Sequence, residues 1–154
     1  MNEPNFCLSK ITHVGFVVKD LEATTSYFSE VFGIGPFKIV ESNFLKDTGY
    51  FEKKYKGKDE DFMFRFGKAS LGAIDVEIIQ PLKGRSVYDD FIKERGGGLH
   101  HLAFEVENLD LIIRKLENYR VEVVQSGKRI GLSWAYVEVG FMNGLIIELM
   151  EKVN

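Results

Sequence analysis

The stretch HLAFEVENL, residues 101–109, repeats in character a stretch 88 positions earlier, HVGFVVKDL at 13–21. In each copy a histidine opens a short alternating run and a small residue, Gly15 or Ala103, stands two places on. An Asp or Asn then precedes a leucine. Period-two runs of β-branched and aromatic residues predict strands. Asp20 and Asn108 are the side chains that cap a following helix. A second stretch aligns as well: VEIIQ at 76–80 matches IELME at 147–151, so Glu77 pairs with Glu148 as His13 pairs with His101.

The first copy reads as a strand (ITHVGFVV) and a helix (DLEATTSYFSEVFG) with Leu21, Thr24, Phe28, Val31 and Phe32 on one face, stopped by Gly33 and Gly35. Strands PFKIVE, DFMFRFG and LGAIDVEIIQP follow, the last closed by Pro81. The second copy reads LHHLAFEV, a helix over NLDLIIRKLENY with Leu109, Ile112, Ile113 and Leu116 inward, then VEVV, WAYVEV and LIIELME. Each half is βαβββ, and such a unit cannot bury its sheet alone, so the two copies are expected to pack together. The expected organisation is one α+β domain of two modules, 8–82 and 99–152. Residues 83–98 join them through a short helix and the flexible Gly96–Gly98. The His-to-Glu separation is 64 in the first copy and 47 in the second, so the first is 17 residues longer. That insertion is assigned to the polar 41–60 region, whose KKYKGKDED reads as a solvated loop.

At 154 residues and 45% apolar content the chain suits one ordinary domain. Net charge is −3, from 20 basic and 23 acidic residues, with no basic stripe, so no nucleic-acid partner is expected. The single Cys7 excludes an internal disulfide and is read as structural or incidental; a reduced, cytoplasmic setting is expected. The start MNEPNFCLSK lacks the features of a signal peptide, and no apolar run of about eighteen residues provides a membrane span. Gly96–Gly98 precede a strand and match no phosphate loop. Ser126 and Ser133 form no arguable triad. Arg65, opposite the phenylalanines of its strand, is read as a salt-bridge residue.

Strand alternation sorts the rest. His101 shares a face with Ala103 and Glu105, whereas His100 falls with Leu102, Phe104 and Val106, a run suited to burial under the helix. His13 lies with Gly15 and Val17. Glu77 and Glu148 interrupt apolar strands, where a carboxylate is costly unless paired, protonated or metal-bound. Two histidines and two carboxylates at repeat-matched positions make an N2O2 set suited to Zn, Ni, Co, Mn or Fe(II), with octahedral positions left for two oxygens.

These segments resemble the vicinal oxygen chelate superfamily of glyoxalases, bleomycin resistance proteins and extradiol dioxygenases, over roughly residues 10–152. ITHVGFVVKDLEATTSYFSEVFGIGPF, IDVEIIQP, GGGLHHLAFEVENLD and GLIIELME are most similar to the methylmalonyl-CoA epimerase-like branch. The resemblance implies a glyoxalase-like fold, with paired βαβββ modules in a curved, cup-like mixed sheet around a metal held by His13, Glu77, His101 and Glu148. It implies a divalent-metal-dependent isomerase or lyase that removes a proton next to a carbonyl through a metal-stabilised enolate. Glu148, or else Glu77, would act as the base. The substrate would be a small acyl-CoA or thiol adduct, and the chain a homodimer. The branch also carries a Glu shortly before a Gly-Val pair; no clear match exists here, and Glu52 and Glu60 are the stand-ins. A glyoxalase-I-like lactoylglutathione lyase acting on a hemithioacetal needs the same four residues. A metal-free binder of small drugs on the same fold would instead use aromatics such as Phe62, Phe64, Phe66, Trp134 and Tyr136. An extradiol dioxygenase uses two His and one carboxylate, which leaves Glu77 superfluous.

Overall fold

The computed structural model describes residues 6–40 and 49–153, apart from the side chain of Phe51. The first half contains β1 (Ile11–Val17), α1 (Leu21–Phe32), β2 (Lys38–Val40), β3 (Tyr50–Tyr55), β4 (Lys58–Asp59), β5 (Met63–Ser70) and β6 (Asp75–Lys83). α2 (Val87–Arg95) leads into β7 (Gly98–Glu105), α3 (Leu109–Glu117), β8 (Val123–Arg129), β9 (Leu132–Val139) and β10 (Leu145–Lys152). The capping expectations hold: Asp20 accepts from the Ala23 N–H and Asn108 from the Leu111 N–H, while Gly33 closes α1 in the left-handed conformation.

The strands form one mixed sheet in the order β2-β5-β6-β1-β7-β10-β9-β8-β3-β4. Within it β1-β6-β5-β2 and β7-β10-β9-β8 repeat one order, and the two copies meet where β1 runs antiparallel to β7. Strands far apart in that order, such as β2 and β8, line one cavity, so the sheet is curled into a half-barrel. α1 covers the convex side of the first copy through Leu21, packed on Val76 and Ile78. α3 covers the second through Leu109 and Ile112, packed on Val137 and Leu149. On the concave side, Val87 and Tyr88 of α2 join Val17, Ile79 and Ile146 in a third core. The Gln125 side chain on β8 accepts from the Val87 N–H and pins the first turn of α2 against the sheet.

Four expectations are corrected. Part of the 41–60 region is a hairpin, not a loop: β3 and β4 extend the far edge of the sheet, with β3 paired to β8 of the second copy. Residues 41–48 lie outside the described ones. The lysines and acids that suggested a solvated loop suit an edge strand, where charge discourages further pairing. β6 runs through Pro81 to Lys83, because β1 pairs only as far as Ile79 and no ladder partner there needs the missing N–H. Val31 and Phe32 are exposed, and Thr25 is buried in their place; the end of α1 runs on beyond the sheet, with Phe32 edge-on to Phe28 and Tyr27. Finally, His100 does not lie under a convex-side helix. The β1–β7 register slips between Gly15–His101 and Phe16–Leu99, so His100 is the extra residue of a bulge and packs against Tyr88, Phe91 and Tyr136 on the α2 side.

Candidate metal centre

The four central strands, β6-β1-β7-β10, each contribute one side chain. Two rows cross them. In one, Glu77 pairs with Gly15 and Gly15 with His101; in the other, His13 pairs with Ala103 and Ala103 with Glu148. Each row therefore reads carboxylate, small residue, histidine. The small residue gives the imidazole room: a Cβ built on Gly15 would lie 1.9 Å from Cε1 of His101, so that ring occupies the space a side chain would need.

The structure brings together all four residues singled out in the sequence, with ligand atoms within 4.8 Å of one another. Nε2 of His13 lies 3.1 Å from Nε2 of His101. Oε2 of Glu148 is 3.0 Å from the first and 3.2 Å from the second. Oε2 of Glu77 stands farther off, at 3.4 and 3.8 Å. Glu148 Oε2 is buried, and although both ring nitrogens lie close to it, neither makes a well-aligned hydrogen bond with it. Ligands about 2.0–2.2 Å from a shared ion sit roughly 3–4 Å apart, and the set fits a divalent ion on that measure.

Without an ion the site holds a proton instead. Burial opposes a charge on His13, but the carboxylates of Glu148 and Glu77 outweigh it and raise the imidazole to about 10. Burial would push the Glu148 carboxyl up, yet His101 and His13 hold it down at about 2. Burial, then the charge on His101, lowers His100 to about 3.

The cluster lies at the floor of a cavity of about 340 Å³. Phe64 and Phe66 of β5 face Trp134 and Tyr136 of β9 across it, while Lys38, Lys68 and Arg129 bring positive charge to its lining. Tyr88, missed in the sequence, lines it from α2 and shares a 2.9 Å hydroxyl–hydroxyl hydrogen bond with Tyr136. Burial and the nearby Glu148 charge raise both phenols well above the ordinary tyrosine value, so they remain neutral. Among the described lining residues only Glu77 and Glu148 are carboxylates. Glu52 instead pairs with Lys128, and Glu60 with Arg85, in a separate depression beside β3. Arg65 contacts Glu22 and Gln80, as expected of a salt-bridge residue.

The sequence matches the profile of the Glyoxalase/Bleomycin resistance protein/Dioxygenase superfamily over residues 12–141. The chain belongs to that superfamily. Relatives of this superfamily member include the uncharacterized protein YqjC of Bacillus subtilis, 25% identical over 147 residues, covering 94% of this chain and 93% of that protein. The mitochondrial methylmalonyl-CoA epimerase of Mus musculus is 25% identical over 131 residues, covering 84% of this chain. The match spans just under two thirds, 64%, of the mouse protein's length. Among solved structures, the methylmalonyl-CoA epimerase of Mycobacterium tuberculosis superposes with a TM-score of 0.66 at 22% identity, covering 97% of this chain and 92% of that one. An epimerase solved in complex with methylmalonyl-CoA and NH4+ gives 0.66 at 19% identity, covering 96% of each. The superpositions show that this superfamily member has the glyoxalase-like fold of these epimerases.

Proposed function

We propose that this protein is a divalent-metal-dependent isomerase of small acyl-CoA thioesters, with methylmalonyl-CoA or a close analogue as substrate. The observation that carries the reading is the buried Oε2 of Glu148 converging with two histidine Nε2 atoms and Glu77 at a cavity. Among the described residues, the other charged side chains lining that cavity are Lys38, Arg129 and Lys68, the last ion-paired with Asp75. Such a lining favours an anionic substrate, and the carboxylate of a malonyl-type acyl group is one.

His13, Glu77, His101 and Glu148 are the residues that would hold the ion. When bound, a divalent ion supplies Lewis acidity to substrate oxygens and disperses the charge left when a proton is removed next to a carbonyl. The chain's own part is to seat the acyl group between the aromatic walls, keep water from the reacting carbon and move the proton. Glu148, or else Glu77, would be the carboxylate that moves it. The epimerase relatives, at 25% identity or below, support the substrate class. Homodimerisation is part of the same reading and is tested by light scattering.

The test is solvent deuterium exchange at the acyl carbon of methylmalonyl-CoA by ion-loaded protein. Exchange well above the ion-free control is expected. No exchange above that background overturns the epimerase reading, and turnover of a methylglyoxal–thiol hemithioacetal in a parallel assay would replace it with the lyase. Uptake of less than about a tenth of an equivalent of ion would favour the metal-free binder.

A further inference from the structure

Each histidine of the centre is preceded by a bulge residue. The β1–β7 pairing slips between Ile11–Phe104 and His13–Ala103, leaving Thr12 extra, and again between Gly15–His101 and Phe16–Leu99, leaving His100 extra. Thr12 and His100 hold the same position in the two repeats. Bulges re-aim side chains that strict alternation would send elsewhere. Here each re-aimed side chain meets the ring of the histidine that follows it. Thr12 Oγ1 lies 3.3 Å from Nδ1 of His13, and His100 Nδ1 lies 3.0 Å from Nδ1 of His101.

The Thr12 hydroxyl donates its one proton to the Ala103 carbonyl oxygen at 3.4 Å, so toward His13 it accepts. The Nδ1 atoms of His100 and His101 face each other, so one carries the proton and the other receives it. His101 turns its Nε2 to the carboxylates, and a ring that coordinates through Nε2 keeps its proton on Nδ1. His100 is then the acceptor and carries its own proton on Nε2. It also lines a small cavity of about 130 Å³ beside α2. A space bounded by the rings of Tyr88, Phe91 and Tyr136 would be filled equally well by phenylalanine. The imidazole adds an acceptor at Nδ1.

We propose that Thr12 and His100 are positioning residues: each accepts a hydrogen bond from the Nδ1–H of the neighbouring His13 or His101 and so aims that ring's Nε2 at the shared centre. The proposal rests on reading His13, Glu77, His101 and Glu148 as metal ligands. Partners of this kind fix the tautomer and orientation of a ligand histidine, and their loss costs about tenfold to a hundredfold in metal affinity.

The experiment reads the ring nitrogens of 15N-labelled protein by NMR, metal-free and Zn-loaded. Nδ1 of both His13 and His101 is expected to carry a proton in each state, and a 15N–15N coupling across the hydrogen bond should join His101 to His100. In chelator competition, Thr12→Val and His100→Leu are expected to weaken Zn2+ binding about tenfold to a hundredfold each and to alter the visible spectrum of bound Co2+. Thr12→Ser and His100→Asn keep an acceptor and are expected to restore most of the affinity. An unprotonated Nδ1 on either ring overturns the proposal. So do unchanged affinity and Co2+ spectra in Thr12→Val, a half-buried position that stays testable even where the buried His100→Leu fails to fold. Failure of the wild-type chain to take up Zn2+ is a separate result that defeats the ligand reading; the ring spectra of the metal-free protein then still decide the two hydrogen bonds.

Discussion

Gly15→Ala is the smallest change expected to dismantle the centre. The added Cβ would sit 1.9 Å from Cε1, 2.1 Å from Nε2 and 2.4 Å from Nδ1 of His101. Non-bonded carbons rest about 3.5–4.0 Å apart, so the ring would have to retreat by roughly 1.5–2 Å. His101 is fully buried, with Tyr136 at 5.0 Å and His100 at 5.3 Å between ring centroids, so the space behind it is already filled. Ligand distances are held to about 0.2 Å in working metal sites, several times less than the displacement. Stability should fall by about 1–3 kcal/mol from overpacking, offset by about 0.4–1 kcal/mol because alanine has less unfolded-state freedom. The variant should therefore remain folded while losing the capacity to hold the proposed ion. Urea unfolding reads the first quantity, and calorimetric titration with Zn2+ or Co2+ reads the second. Gly140→Ala, where a Cβ meets nothing within 4 Å, is the control and should change neither. A Gly15→Ala protein that binds the ion with wild-type affinity and an unchanged Co2+ spectrum would refute the packing argument.

Glu148→Gln keeps the shape but removes the charge between the histidines. It should weaken ion binding by at least the tenfold to hundredfold that loss of an outer partner costs, and should bring the His13 titration down from about 10, read by NMR. In metal-free protein the cluster should shape the pH dependence of stability. His13, raised above its ordinary 6.5, contributes stability that is full below 6.5 and lost as pH rises through about 10. Glu148, lowered from 4.5, contributes stability that is full above 4.5 and lost as pH falls through about 2. Urea midpoints should therefore decline from pH 6.5 toward 10, whereas ion-loaded protein should gain over the lower part of that range, because the ion displaces the proton. A flat metal-free profile would contradict the assignment. Tyr136→Phe leaves the buried Tyr88 hydroxyl without its 2.9 Å partner and should cost about 1–3 kcal/mol. Adding Tyr88→Phe should recover part of that loss, measured as a double-mutant cycle.

The sequence by itself determined the repeat, and through it the faces on which His13, Glu77, His101 and Glu148 stand. Alternation along a strand and capping at Asp20 and Asn108 are properties of a few neighbouring residues, so they survive being read one segment at a time. Tertiary structure decided whatever depends on a partner distant in the chain. Alternation put His100 on the convex side with Leu102 and Phe104, but pairing with β1 inserts a bulge there, and a bulge exists only relative to the strand opposite. Composition put KKYKGKDED in a loop, but β8 of the other copy offers it an edge to pair with. Tyr88 carried no motif, and it reaches the cavity because α2 seats on the concave side of the sheet. The meeting of four side chains within 4.8 Å follows from the junction of β1 with β7, where the two copies of one local pattern are joined side by side in one sheet.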